Sequence, residues 1–484
     1  MEIFMAIDLG TTGCRCILFD ENLEIKGEQY EEYSLITLKE NWIEQDASLW
    51  WEMALRTSKE AILKSGVDSK QIKGISVSSQ GITIVPVDKN INPLCNALSW
   101  LDTRAEAEAL KIKNDFGNEV IFNLTGKPIE ATYTLPKLLW IKENMSVIWK
   151  KAWKFLMPMD FIIAKFTGKA VTDHSMASGT LMYNLKENVW SDKILEKYAI
   201  PKEKLPSICW SGECVGTVKE DVAILLGLAN DCVVSVGAQD QKCAALGAGL
   251  KDGVMTVSLG TAGAVTKLWN EINTEKHNKV GWCGYISPES WVTEGVINTA
   301  GTCLRWVRDM LFPGESYDVI NNEAKVAQEN KSSVLFYPFL NGPSSPYYYP
   351  EAEGTFYGLT LAATRGSFAL AVMEGVAFQI RILLEEMDAY KNVNGLILFG
   401  GGAKSSLWCQ IIADITGMKI SVPKTEEAAG AGAAILASMA CGKTLSGLEC
   451  KKSYEPSEMQ LYYEEKYQKY KKIEKKLWQK EVQM

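Results

Sequence analysis

Two α/β domains of mixed sheets with flanking helices are the architecture the sequence predicts, and three observations carry it. The first is a strand-turn-strand pattern, Ile3 to Leu9 and Cys14 to Phe19 around Gly10-Thr11-Thr12-Gly13, the local signature of a hairpin. The second is its recurrence: Ser258-Leu-Gly-Thr-Ala-Gly263 repeats Asp8-Leu-Gly-Thr-Thr-Gly13, again between apolar runs, Val254 to Leu259 and Ala264 to Leu268. One copy in each half implies an internally duplicated chain. The third is length, since 484 residues exceed what one hydrophobic core ordinarily serves.

The composition narrows the class. With 47% hydrophobic, 10% aromatic and 23% charged residues, the chain reads as globular rather than disordered. A net charge of −8 implies no broad basic surface, so no nucleic-acid partner is expected. The start, Met-Glu-Ile-Phe-Met-Ala, has no basic region ahead of an apolar stretch. No run approaches the roughly 18 apolar residues that span a bilayer. The expectation is a cytoplasmic protein without a membrane partner. The 12 cysteines contain no Cys-x-x-Cys pair, and the 2 histidines, His174 and His277, leave little for a zinc site. Cys14 and Cys16 share a strand face, where packing accounts for them. No feature separates a monomer from a homodimer.

Taken in order, the first turn is expected to fold back tightly because its glycines tolerate positive φ, presenting N–H groups and the Thr11 and Thr12 hydroxyls to an anion. Asp8, at the end of the first strand, is placed to hold a hydrated Mg²⁺. Trp42-Ile-Glu-Gln-Asp46 leads into a helix reaching about Ser65, with Asp46 or Ser48 as N-cap. Lys73 to Asp88 reads as strand, bend at Ser79-Gln80-Gly81, strand, with polar side chains at the rim of a sheet. In Ser99-Trp-Leu-Asp-Thr-Arg-Ala105, Asp102 either accepts from substrate hydroxyls, oriented by Arg104, or caps a helix from Arg104 to Phe116. Both roles can coexist. Thr172 to Thr180 reads as a polar loop, making His174 a loop histidine.

An apolar strand from Val233 ends at Gly237, and a small-residue helix begins near Asp240, putting a carboxylate at the positive end of a helix dipole on rigid elements. Its alternative is a plain N-cap. Leu396 to Trp408 is strand, glycine turn, helix, where Gly400-Gly-Gly402 lets a flat ring approach the backbone. Glu426 to Leu436 fails as a dinucleotide fingerprint, because no strand directly precedes it and its sixth position is Ile435; it reads as a close-packed helix. Met459 to Trp478 reads as a solvated amphipathic helix.

The Asp8-Leu-Gly-Thr-Thr-Gly13 start, the second Leu-Gly-Thr, and Phe399-Gly-Gly-Gly-Ala-Lys-Ser405 together resemble the FGGY sugar kinases, of the superfamily shared with actin and hexokinase. The resemblance implies a two-domain actin/hexokinase-like, ribonuclease H-like α/β fold with a catalytic cleft between the domains. It implies domains at 1–248 and 249–441 with a helical tail at 442–484. It implies transfer of the γ-phosphoryl of ATP to a primary hydroxyl of a small sugar or polyol, with Asp240 as general base. The phosphates are expected at Gly10, Thr11, Thr12, Gly260 and Thr261, the adenosine at Gly401, Gly402, Ala403 and Lys404, and Mg²⁺ at Asp8 through water. Trp408 and Gln410, on the helix that follows, are expected to close over the base. The acceptor is expected against Ser79, Gln80, Gly81, Asp102 and Asp240. Pro136 to Trp140 and Ser344 to Gly358 look most like xylulose kinases, which favours a pentulose such as xylulose. Glycerol, erythritol and gluconate stay open, as does an actin-like or chaperone-like ATPase with a protein partner.

Overall fold

The computed structural model describes residues 1–343, 345–346, 349 and 351–478. Ser344 and Tyr347, from the stretch compared above with xylulose kinases, lie outside them. The chain forms two compact units, each with its own mixed sheet.

The first unit holds residues 1–249, 269–292 and 427–448. Its sheet runs, in spatial order, Cys214–Thr217, Val233–Ser235, Ile72–Ser79, Ile3–Leu9, Gly13–Phe19 and Ile25–Glu32. The first two strands of the chain are antiparallel, and Ile72–Ser79 lies parallel to the first, with Asp8 opposite Ser78. The short strand Ala238–Gln239 extends this edge, pairing Ala238 with Ser78 and Gln239 with Ser79. Alternation puts Ile3, Met5, Ile7, Cys14 and Cys16 into one core with Trp50, Met53 and Phe161. The Cys14 and Cys16 thiols are pushed up by burial, the latter to about 12. The helix Ala47–Ser65 covers this core, capped by Asp46, whose carboxylate accepts from the Ser48 N–H at 2.8 Å.

The compact units are interleaved along the chain, and packing of small residues is the reason. The helix Ala428–Ala440 packs against Asp240–Ala248 so closely that a Cβ at Gly432 would stand 1.9 Å from the Cys243 carbonyl oxygen. One at Gly247 would stand 1.9 Å from that of Ala428. Contact of this kind fits the close-packed reading of the Gly-Ala-Gly run, and it draws residues from near the end of the chain into the first unit.

The second unit holds residues 250–268, 293–426 and 449–484. Its strands Gly263–Trp269, Val254–Leu259, Gly395–Phe399, Lys419–Pro423 and Cys450–Tyr454 are neighbours in that order. The helix Arg365–Glu386 runs through its core. It is long and apolar enough to cross a membrane by length and composition, which corrects the expectation that no run comes close; 89% of its most apolar window is buried inside the protein. Glu374 on this helix is ion-paired with Lys466 at 2.6 Å, and both are buried. The C-terminal helix Gln460–Trp478 is therefore docked rather than solvated. Tyr463, Tyr467 and Tyr470 are fully buried, and Tyr470 stacks on Tyr337 at 4.3 Å.

Candidate active site

The carboxyl ends of the parallel strands of the first unit meet at one edge, the usual ligand side of such sheets. Asp8 stands there, accepting a 2.8 Å hydrogen bond from the Ser78 hydroxyl. Burial raises its carboxyl above the ordinary value, against the lowering effects of Ser78 and the Arg15 charge. Arg15 is directly opposite Asp8 in the hairpin register. It forms a short ion pair with Glu427 and lies 5.2 Å from the Tyr30 ring centre.

The turn that follows is closed by a 2.9 Å bond from Gly10 N–H to the Gly13 carbonyl. Neither Gly10 nor Gly13 takes positive φ, so left-handed backbone is not what selects them. At Gly13 the reason is contact: a Cβ would fall 2.4 Å from the Tyr30 hydroxyl. Gln45 donates to the Thr11 carbonyl at 2.7 Å and the Trp100 indole to the Thr11 hydroxyl at 2.9 Å, which fixes the turn. Asp8, Gly10, Thr11, Thr12, Arg15 and Glu427 line a cavity of about 390 Å³. Its hydroxyls, amides and carboxylate are the hard oxygen donors and anion-binding groups that a hydrated Mg²⁺ and a phosphate chain need.

Asp240 is two residues beyond Ala238 on the same edge. It is the first residue of the helix Asp240–Ala248, and the N-cap is Gln239, which corrects the capping alternative. Its Oδ1 accepts from the Gln241 N–H at 2.6 Å and from the Gln239 side-chain amide. Close approach sets this position, since a Cβ on Gly237 would sit 1.8 Å from the Val77 carbonyl oxygen.

The expected acceptor residues divide. Gly81 borders Gln239, with 3.2 Å between its Cβ direction and Gln239 Cγ. Gln80 is buried and donates to Gln45 Oε1 at 3.0 Å, so it supports the phosphate turn through Gln45. Ser79 is buried as well, its hydroxyl accepting from Met159 N–H at 3.1 Å at the start of the helix Pro158–Thr167. Asp102 is fully buried and surrounded by donors: the N–H groups of Ile43 and Arg104 and the Arg104 guanidinium. The helix beyond it starts at Glu106 with Ala105 as cap, so Asp102 is not its N-cap. His174 opens the short helix His174–Ser178 instead of lying in a loop. It stacks on Trp210 at 3.5 Å, and burial lowers its pKa to about 4.

In the second unit the repeated turn is closed by Gly260 N–H to Ala262 O at 3.1 Å, and again Gly260 has no positive φ. The glycine turn after Gly395–Phe399 forms a 3₁₀ turn over Gly401–Lys404, and only Gly400, at φ 89°, needs left-handed backbone. A cavity of about 600 Å³ is lined by Gly260, Thr261, Gly401, Gly402, Lys404 and Asn321, among others. Nothing lies within 4 Å of the Cβ direction of Gly401, so that backbone faces open space. Ala403 is buried, and Lys404 pairs with Glu426 at 2.8 Å. Trp408 lines the cavity with its indole N–H bonded to the Met373 carbonyl, while Gln410 turns to Asp414 and Glu455.

Residues 3–247 match the model of the N-terminal domain of the FGGY family of carbohydrate kinases, and residues 255–441 that of its C-terminal domain. The chain is a member of the FGGY carbohydrate kinase family. A xylulose kinase of Bacillus subtilis (strain 168) is 31% identical over 456 residues, 94% of this kinase and 91% of that protein. A glycerol kinase of Thermococcus onnurineus (strain NA1) is 31% identical, over 91% of this chain and 89% of the other. The crystal structure of a gluconate kinase from Lactobacillus acidophilus superposes with a TM-score of 0.91 at 26% identity, covering 98% of each chain.

Some lining residues of this FGGY kinase escape a reading of the sequence. Arg15 could be found there, because counting back through a four-residue turn puts it opposite Asp8. Glu427 could not, being 412 residues away from its partner Arg15. Tyr317 and Asn321 share a face at i and i+4 of the helix Tyr317–Glu329, with no motif to mark them.

Proposed function

We propose that this FGGY kinase transfers the γ-phosphoryl of Mg·ATP to a primary hydroxyl of a small open-chain sugar, with D-xylulose as the leading acceptor. The observation that carries the reading is the pair of carboxylates, Asp8 and Asp240, at one sheet edge beside an anion-binding turn. Asp240 takes the proton of the acceptor hydroxyl as its oxygen bonds to the γ-phosphorus. The bond from that phosphorus to the β–γ bridging oxygen breaks, and ADP leaves with the electron pair. The transfer needs positioning and charge neutralisation more than strong basicity, which an aspartate supplies.

Gly10, Thr11, Thr12 and Arg15 of the first unit are suited to phosphate oxygens, and so, within the second unit, are Gly260 and Thr261. The 600 Å³ cavity at Gly401, Gly402 and Lys404 suits the adenosine. Mg²⁺ held at Asp8 through water would neutralise charge on the phosphates. Support for xylulose comes from the name of the Bacillus subtilis xylulose kinase, 31% identical over 94% of this chain. ADP release from Mg·ATP across ketoses, polyols and sugar acids, with no acceptor as the blank, tests the proposal. Stimulation by D-xylulose above all others is the expected result; indifference to every acceptor overturns the kinase reading, and preference for another acceptor replaces xylulose.

A further inference from the structure

We infer that Gln239 is a specificity-determining residue of this kinase, reading the hydroxyl next to the one that is phosphorylated. The inference rests on the proposed acceptor chemistry at Asp240. An ionised carboxylate only accepts, so the Gln239 amide must turn its N–H₂ toward Asp240 Oδ1, as it does. The amide oxygen then points away from Asp240. That oxygen, Oε1, is buried and has no hydrogen-bond partner. A buried carbonyl oxygen without a donor is an exception that calls for a cause, and a ligand hydroxyl beside Asp240 is one.

The placement of Gln239 is rigid. Its backbone N–H donates to the Ser175 hydroxyl at 2.9 Å, and it pairs with Ser79 in the sheet. Its Cγ lies against Gly81, where a side chain would press on it. The amide nitrogen and oxygen share one carbon, so Oε1 is held one amide width from the nitrogen that Asp240 engages. With the reacting hydroxyl on Asp240, its neighbour reaches Oε1.

An oxygen that only accepts selects by chemistry. It takes an O–H, and leaves a keto oxygen, a carboxylate or a CH₂ at that position without a bond. The acceptor class is thus a polyol or sugar whose phosphorylated carbon is flanked by a carbinol. D-Xylulose, glycerol and gluconate all satisfy this at one end, and dihydroxyacetone does not.

The test compares matched pairs, D-xylulose with 4-deoxyxylulose and glycerol with 1,3-propanediol, in the wild type, Gln239→Met and Gln239→Asn. Methionine keeps the length without the amide, and asparagine withdraws the carbonyl by one methylene. In the wild type, kcat/KM should fall at least about tenfold on loss of the neighbouring hydroxyl. In both variants the pair should agree within about twofold, the wild-type loss residing mainly in KM for the acceptor. Undiminished discrimination in either folded variant overturns the inference and leaves the kinase reading standing. Absence of acceptor-stimulated turnover in the wild type overturns both.

Discussion

Arg104 holds the carboxylate of Asp102 through its Nε and Nη2, at 2.7 to 2.9 Å, with its guanidinium carbon 4.1 Å from the Trp42 ring centre and 5.0 Å from that of Trp140. The same Nη2 reaches Glu44 at 2.9 Å, and Asp102 fixes the backbone at Ile43. Both members of the pair are almost fully buried. This is a brace for the wall of the first unit.

Replacing Arg104 by methionine leaves Asp102 buried without its cation. A buried pair broken on one side costs about 3 to 5 kcal/mol. Urea unfolding of Arg104→Met should show a loss of that order, and a loss under about 1 kcal/mol would place the pair in solvent-like surroundings.

Asp240→Asn keeps the shape of the site and removes its proton acceptor. A general base contributes about 10²- to 10⁴-fold, so kcat should fall within that range while KM for ATP stays put. Full activity in this variant would remove Asp240 from the base role.

Asn321 Oδ1 accepts from the Ser405 hydroxyl at 2.8 Å, and Ser405 in turn accepts from the Trp408 N–H that it caps. The Asn321 amide hydrogens are thereby available to the 600 Å³ cavity. Asn321→Ala should raise KM for ATP about tenfold with kcat within about twofold, the pattern of lost uniform binding. A fall in kcat with unchanged KM would instead tie Asn321 to the transition state.

Lys137 is fully buried beside this brace and donates to the Ser99 carbonyl at 2.6 Å. Burial lowers its pKa to about 7, against the raising effect of Asp102. The folded state therefore binds fewer protons than the unfolded one between about pH 7 and the ordinary lysine value. Its contribution to stability rises with pH across that window, by up to about 1.4 kcal/mol per unit, and is lost as pH falls toward 7. Urea midpoints at pH 7.5, 8.5 and 9.5 should diverge in this sense between the wild type and Lys137→Met, whereas parallel curves would show a lysine charged in the fold.

What the sequence made legible is local. Both hairpins, the Asp46 cap and the position of Asp240 after a strand follow from periodicity and glycine placement, because neighbours along the chain decide them. The pairing of Asp102 with Arg104, two residues on, was legible in the sequence, whereas its bond from the Ile43 N–H, 59 residues away, was not. The tail misled for the same reason: Tyr463, Tyr467 and Tyr470 sit among lysines and glutamates, and only the Tyr337 and Phe378 rings they meet reveal an inward face. Glu427 is the furthest case, its partner Arg15 lying in the second strand of the chain.

The return of residues 427–448 to the first unit governs when that unit can finish folding during synthesis. A nascent chain that has emerged only as far as residue 249 has made every strand of the first sheet but lacks the helix that seats on Gly247 and closes on Arg15. The first unit therefore matures after most of the second has been made. A fragment ending at 249 would leave the ribosome with an uncovered apolar face, so expression of the N-terminal half alone should yield an aggregating product until the helix is supplied.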